Sequence, residues 1–150
     1  MSSDGVCLQP DPMVVIDLGA LHWLNKQSGA LLDLACDLLQ QGKIGIPTNV
    51  WADFQKMSAG IGNFARLKAS ITVKIRNHDS QGDAVAIILG QRNTPILLSY
   101  KLDSDYAVLG VSLVDGCAIL TTDKNRQKYD QLTESEIFVV EDLEAIVGKI

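Results

Sequence analysis

Four aspartates occupy positions at which carboxylates can do chemistry. Asp17 is the last residue of one short apolar run, and Asp123 lies just beyond another. Asp105 lies in the first turn of one predicted helix, and Asp53 lies about a turn and a half into another. Carboxylates that share a pocket repel one another unless a cation lies among them. Because oxygen ligands suit Mg²⁺ or Mn²⁺, the predicted chemistry is metal-assisted attack of water on a phosphodiester.

Each aspartate also has a purely structural explanation. Asp105 fits a first-turn acid favoured by the helix dipole, Asp123 fits a helix cap, and Asp53 fits an exposed helix position. Asp17 is less easily explained, because a carboxylate that follows so apolar a run is buried at a cost unless a partner compensates it. Asp103 is a rival for Asp105, but apolar residues at i+3 and i+4 from Asp105 place Asp105 on the buried face.

The elements that must position these acids alternate along the chain. Short apolar runs predict strands at 13–17, 43–47, 71–75, 117–121 and 136–140. Helical spacing fills the intervals, with a break near Ser28 and a stop at Gly42, and a closing helix is predicted over 141–150. Alternating strands and helices indicate an α/β fold with a mostly parallel sheet, whose ligands bind beyond the carboxyl ends of the strands. If the first and fourth strands are neighbours, Asp17 and Asp123 face one cleft.

Composition bounds the class of protein. The chain has 150 residues, of which 47% are apolar and 21% charged, and this predicts a flexible lead over 1–12 and one domain over 13–150. The formal charge of −5 means that any phosphate ligand must be attracted by a local basic patch or by bound cations. Three widely spaced cysteines favour a reduced, cytoplasmic protein. No apolar stretch reaches the roughly 20 residues that a membrane span requires.

A basic group follows Asp123 directly. Lys124, Arg126 and Lys128 are either contacts for RNA phosphates or an ordinary solvated face. Trp51, like Trp23, is either a surface for stacking bases or part of a core or interface.

Four segments, in order, resemble the motifs of PIN-domain nucleases, in particular the small toxins of the VapC type. They are VVIDLGALHWL (14–24), IPTNVWADF (46–54), DYAVLGVS (105–112) and ILTTD (119–123). The resemblance implies a three-layer α/β/α fold with a five-stranded, mostly parallel sheet. It also implies an endoribonuclease that depends on Mg²⁺ or Mn²⁺, acting as the toxin of a toxin–antitoxin pair, with an antitoxin protein as partner and a homodimer as assembly.

The resemblance assigns roles by motif. Asp17, Asp105 and Asp123 would surround the metal, Asp53 would help to bind it or orient the water, and Thr121 would support them with its hydroxyl.

The sequence departs from the family pattern in three places. Gly19 stands where the family usually has Ser, Thr or Asn, Asp53 replaces the commoner Glu, and Arg126 lies near a position that is often aromatic. These departures motivate a second hypothesis, a PIN-like domain with a weakened acidic site that binds RNA or protein without cleaving.

A third hypothesis is a receiver-like or phosphatase-like domain. Such a domain would need a paired acid or a DxD motif at the first strand, where the sequence has Asp17-Leu18-Gly19.

Overall fold

The computed structural model describes residues 14–71, 74–75, 108–112, 116–130 and 135–150. Strands and helices alternate along them. The strands are β1 (Val14–Ile16), β2 (Ile44–Pro47), β3 (Lys74–Ile75), β4 (Ala118–Thr121) and β5 (Ile137–Val139). The helices are α1 (Leu18–Asn25), α2 (Gly29–Gln40), α3 (Thr48–Ser58), α4 (Phe64–Ser70), α5 (108–112), α6 (Gln127–Asp130) and α7 (Leu143–Ile146). The protein is therefore a mixed α/β protein, as predicted.

Four strands form a parallel sheet in the order β2-β1-β4-β5, flanked by helices in a way consistent with a three-layer α/β/α fold. The two residues of β3 pair in parallel with β2 at the outer edge. In the centre, Ile16 of β1 lies opposite Leu120 of β4. The first and fourth strands are therefore neighbours, as the sequence analysis required. Chain order reverses between them, and in parallel sheets this switch point is where ligands bind.

The central strand β1 is buried throughout. Val14, Val15 and Ile16 are each 0% exposed, which explains a run of β-branched residues with no polar alternation. The chain reaches its neighbour β2 through a defined stop at the end of α2. Gly42 has φ +75°, its N–H donates to the Leu39 carbonyl at 3.1 Å, and the next N–H bonds back to the carbonyl of residue 38 at 3.0 Å. These two bonds form a Schellman motif, which favours glycine at this position.

An aromatic cluster packs α3 against α4 and α1. The ring of Trp51 stacks on Phe64 at a centroid distance of 5.3 Å, and Phe54 contacts both rings. Trp51 is only 7% exposed. Its indole therefore belongs to the core, which decides against base stacking for this residue.

His22 lies at the margin of this cluster. Its ring meets Phe54 edge-on at 5.4 Å, and its Nδ1 lies 3.3 Å from Ser58 Oγ. Its Nε2 is buried, with no hydrogen-bond partner among the described residues. Burial, and secondarily the charge of Lys26, lowers the pKa of His22. The folded protein therefore favours the neutral imidazole.

We expect His22 to make the protein less stable in mild acid. Below the ordinary histidine pKa of 6.5 the unfolded chain takes up a proton that the folded chain resists, so stability falls as the pH drops through 6.5 towards the lowered pKa. His22→Gln removes this titration. Urea unfolding between pH 8 and pH 5 should show a smaller loss of unfolding free energy in the variant. Equal losses in both proteins would assign the acid sensitivity to other groups.

The C-terminal segment differs from the single closing helix predicted for residues 141–150. It consists of 3₁₀ turns at Val140–Asp142 and Val147–Lys149 on either side of the short α7. Val140 and Leu143 are fully buried three residues apart, a spacing that suits the 3₁₀ period, and Gly148 weakens a continuing α-helix.

Other predictions fall partly or wholly outside the described residues. The lead at 1–12 lies outside them, and so does the helix predicted between the third strand and residue 100. Of the strand predicted at 71–75, the pair Lys74–Ile75 is a strand. In the described parts of the chain, no helix is both long and apolar enough to cross a membrane.

Candidate active site

Asp17 lies at the carboxyl edge of the two central strands. It follows β1 directly, and its backbone N–H donates to the carbonyl of Leu120 in β4 at 3.2 Å. Its Oδ1 accepts the N–H of Ala20 at 2.8 Å, so the carboxylate caps α1. The residue is only 2% exposed. One backbone ladder and one helix end therefore fix the position of a buried carboxylate.

The other oxygen of Asp17 accepts two hydroxyl groups. Thr121, the last residue of β4, donates to Asp17 Oδ2 at 2.5 Å, and Tyr129 of α6 donates to the same oxygen at 3.0 Å. Both donors are 0% exposed. Together with the N–H of Ala20 they stabilise the ionised carboxylate and compensate its burial. Asp17 is thus the buried, partnered acid that its position after an apolar strand required.

Asp123 reaches the same edge from the neighbouring strand. It opens a 3₁₀ turn (Asp123–Asn125) two residues after β4 ends, and its side chain is exposed. Its backbone N–H donates to Oε1 of Glu141 at 3.1 Å. Glu141 lies just after β5, so a further carboxylate meets this edge from the next strand along the sheet.

Sequence reasoning missed Tyr129 and Glu141. Glu141 could have been found, because it directly follows the fifth predicted strand, much as Asp17 ends the first. Tyr129 had none, since nothing in the local pattern of α6 points towards a residue so distant in the chain.

The other two predicted acids are less closely tied to this edge. Asp53 lies on α3 one residue before the buried Phe54, and it is half-exposed. No hydrogen bond or ion pair of its carboxylate is found within the described segments. Asp105, with its rival Asp103, lies outside the described residues. The helix that Asp105 was predicted to head is present at residues 108–112, all of them buried.

The basic residues after Asp123 differ in their environment. Lys124 is exposed, and Arg126 Nε lies 3.7 Å from Asp130 across one turn. An exposed pair of this kind contributes only about 0 to 1 kcal/mol, so it can yield to a phosphate. The side chain of Lys128 lies outside the described set. Lys124 and Arg126 therefore remain available at the rim of the edge.

Carboxylate and hydroxyl oxygens are the donor types that a hard divalent cation prefers, and Asp17, Thr121 and Asp123 supply them at one edge. Asp17 and Asp123 would hold the ion, which would supply an activated water. Within the described ranges no three His, Cys, Asp or Glu side chains lie close enough to hold a metal. The predicted third ligand, Asp105, is not part of those ranges. The donor set that is described fits Mg²⁺ or Mn²⁺ in its chemistry.

Comparison with known proteins supports the architecture. No family model matches the chain, and no curated relative matches it. Solved structures do match. One is the crystal structure of PAE2754 from Pyrobaculum aerophilum, with a TM-score of 0.59, 15% identity and coverage of 99% of both chains. At that identity the match is evidence for the fold alone.

Proposed function

We propose that the protein is a divalent-metal-dependent endoribonuclease of the PIN type, hydrolysing RNA phosphodiesters with a metal-activated water. One observation carries the proposal. The pairing of β1 with β4 brings Asp17, Thr121 and Asp123 to the carboxyl edge of the sheet at its switch point. A buried carboxylate held there by three donors has the fixed geometry that catalysis by positioning demands.

Each of the four acids has a separate role in this proposal. Asp17 provides a rigid carboxylate, because Thr121 and Tyr129 hold one of its oxygens and the first turn of α1 holds the other. Asp123 provides an exposed carboxylate in the turn after the neighbouring strand β4. Asp105 completes the metal-binding set, and Asp53 helps to bind the ion or orients the attacking water.

RNA must approach a protein with a formal charge of −5. Lys124 and Arg126 lie at the rim of the acidic edge, and Lys128 follows them in the sequence. In the proposal they contact RNA phosphates on either side of the cleaved bond, while the acidic centre is neutralised by its cation. The negative surface elsewhere then limits binding to this edge.

The biological context follows from the resemblance. We place the protein in the cytoplasm as the toxin of a toxin–antitoxin pair, on a five-stranded sheet with β3 as edge strand. The buried thiols of Cys36 and Cys117 suit a reducing compartment. A homodimer would form through α1 and α2, where Trp23, Leu31 and Leu34 are apolar and only partly buried. A small antitoxin would cover the acidic edge.

The first test is cleavage by the purified protein. With Mn²⁺ we expect degradation of a structured RNA, and with EDTA no degradation, because the acidic edge then lacks the cation that activates water. Adding Mn²⁺ in excess over EDTA should restore cutting. Cleavage that continues in chelator would refute the metal mechanism. A preparation that carries Asp17→Asn controls for contaminating ribonucleases, which would be unaffected by that substitution.

Binding without cleavage is the second candidate. It is favoured by the three hydrogen bonds that already engage Asp17, and by Gly19 and Asp53, where the sequence departs from the family pattern. Under this hypothesis the wild type binds labelled RNA and leaves it intact at saturating Mn²⁺. The cleavage assay therefore separates the two candidates directly.

A further inference from the structure

Asn125 lies against the first turn of α1. A Cβ atom placed on Gly19 would lie 2.5 Å from Asn125 Nδ2 and 3.7 Å from Asp17 Oδ1. Real Cβ atoms essentially never approach another heavy atom to within 3.0 Å. The amide of Asn125 therefore takes the space that any side chain at position 19 would need, beside the carboxylate of Asp17.

The backbone of Asn125 is fixed. It closes the 3₁₀ turn after β4, and its N–H bonds to Thr122 through both the carbonyl, at 3.0 Å, and the hydroxyl, at 3.3 Å. The side chain is half-buried, and its amide has no hydrogen-bond partner among the residues that the structure describes. The side-chain donors of Asn125 are therefore positioned at the acidic edge and open to a ligand.

The charge of the surroundings defines that ligand. Asp17, Asp123 and Glu141 are all acidic, so a lysine or arginine at position 125 would pair with them and a carboxylate would add to their repulsion. A neutral amide does neither, and its two N–H groups match the oxygens of a phosphate.

We propose that Asn125 binds the RNA phosphate beside the cleaved bond through its amide N–H, from the space that Gly19 leaves open. The inference rests on the proposed function and adds to it a substrate-binding residue. It also gives Gly19 a role. Because residue 19 has no side chain, the amide of Asn125 can occupy that space from the turn after β4 and donate to the phosphate.

Two substitutions at Asn125 test the donor. Asn125→Ala removes it, and Asn125→Asp has nearly the same shape but replaces the donor with a charged acceptor. Affinity is measured by fluorescence anisotropy of a fluorescein-labelled single-stranded RNA with Ca²⁺, the RNA being checked as intact on a gel. KM and kcat are measured with Mn²⁺. We expect Asn125→Ala to weaken binding and raise KM about tenfold with a smaller change in kcat, and Asn125→Asp to weaken binding further.

Gly19→Ala tests the geometry without touching Asn125 itself. The new methyl group must displace the end of a flexible side chain, while alanine favours helix α1 over glycine. We therefore expect an unchanged or raised melting temperature together with RNA binding as weak as that of Asn125→Ala. The double variant should bind no more weakly than either single one, because both remove the same contact. Gly148→Ala is the matched control, since a Cβ there meets nothing within 4 Å.

The outcomes separate this inference from the proposed function. If the wild type cleaves RNA and both Asn125 variants bind it as the wild type does, the inference is wrong and the function stands. If RNA binding depends on Asn125 but no cleavage occurs, the nuclease proposal fails and takes with it the position beside a cleaved bond, while Asn125 stands as an RNA-binding residue. Additive losses in the Gly19→Ala, Asn125→Ala double variant also overturn the inference, because the two residues would then act separately. A wild type that neither binds nor cuts RNA overturns both.

Discussion

Asp17→Asn is expected to abolish Mn²⁺-dependent cleavage while leaving the protein folded. The substitution removes the charge from the one carboxylate, among the described residues, that is both buried and at the switch point of the sheet. Loss of a residue that merely supports a metal ligand typically costs 10- to 100-fold, so loss of the ligand itself should lower kcat/KM by at least about 100-fold.

The fold should survive because the hydrogen bonds around position 17 can be rearranged. In the Asp17→Asn variant the carbonyl oxygen of the new side chain can still accept the N–H of Ala20. Its amide can donate to the hydroxyls of Thr121 and Tyr129, which accept as well as donate. We expect a loss of about 1 kcal/mol in unfolding free energy.

A second variant at position 17 and a control on α2 separate the effect of the charge from the effect on structure. Asp17→Ala leaves two buried hydroxyls without their acceptor and α1 without its cap, so it should cost about 2 kcal/mol or more. Asp37→Asn is the matched control, because Asp37 is an exposed acid on α2 and the change in charge is identical. Asp17→Ala should lower both the unfolding free energy measured in urea and the cleavage rate. Asp17→Asn should lower the cleavage rate strongly and the unfolding free energy by only about 1 kcal/mol. Wild-type cleavage by Asp17→Asn would reduce Asp17 to a helix cap.

Much of the sheet was predictable because its signals are local. The run Val14–Ile16 is too apolar and too β-branched for anything but a strand buried on both faces, and Gly42 marks the end of α2. Alternation of such runs with helices leads to a parallel sheet, and a parallel sheet brings its carboxyl ends to one edge. Asp17 and Asp123 could be placed by that rule alone, before any contact was known.

The side chains around those acids were not predictable, because they depend on how distant segments pack. Tyr129 of the short helix α6 donates to Asp17, a residue more than a hundred positions earlier in the chain. The amide of Asn125 fits beside Asp17 only because position 19 is a glycine. From the sequence alone, that glycine indicated only the absence of the Ser, Thr or Asn that the family usually has there. The same limit applies to the broken closing helix, where Val140 and Leu143 are both fully buried by distant segments of the chain.

Two of the four acids remain predictions. Asp105 is assigned by its motif and by the buried helix that continues at residues 108–112. Asp53 is assigned by its spacing from Pro47, but its carboxylate is half-exposed and sits past the first turn of α3. Asp17 is the acid with the most hydrogen bonds to other described residues, so the sharpest experiments act on it and on the groups that hold it.

Tyr129→Phe is expected to weaken metal binding without disturbing the core. The ring is fully buried and remains in place, and only the hydroxyl that donates to Asp17 Oδ2 at 3.0 Å is lost. Thr121 still donates to that oxygen, so the carboxylate keeps one of the two hydroxyl donors that the described residues supply. Groups that hydrogen-bond to a metal ligand and so orient it typically contribute 10- to 100-fold to metal affinity. We expect the Mn²⁺ concentration for half-maximal cleavage to rise about tenfold.

A second measurement makes this result independent of activity. Mn²⁺ that binds the folded protein raises its melting temperature, and the dependence of that shift on Mn²⁺ concentration reports affinity. In Tyr129→Phe the shift should require about ten times more Mn²⁺. Thr121→Val removes the other hydroxyl and should behave alike, whereas Thr121→Ser keeps the hydroxyl and should restore the wild-type dependence. If Tyr129→Phe lowers stability but leaves both Mn²⁺ dependences unchanged, the hydroxyl serves only to satisfy a buried carboxylate, and the geometry of Asp17 is set by β1, β4 and α1 alone.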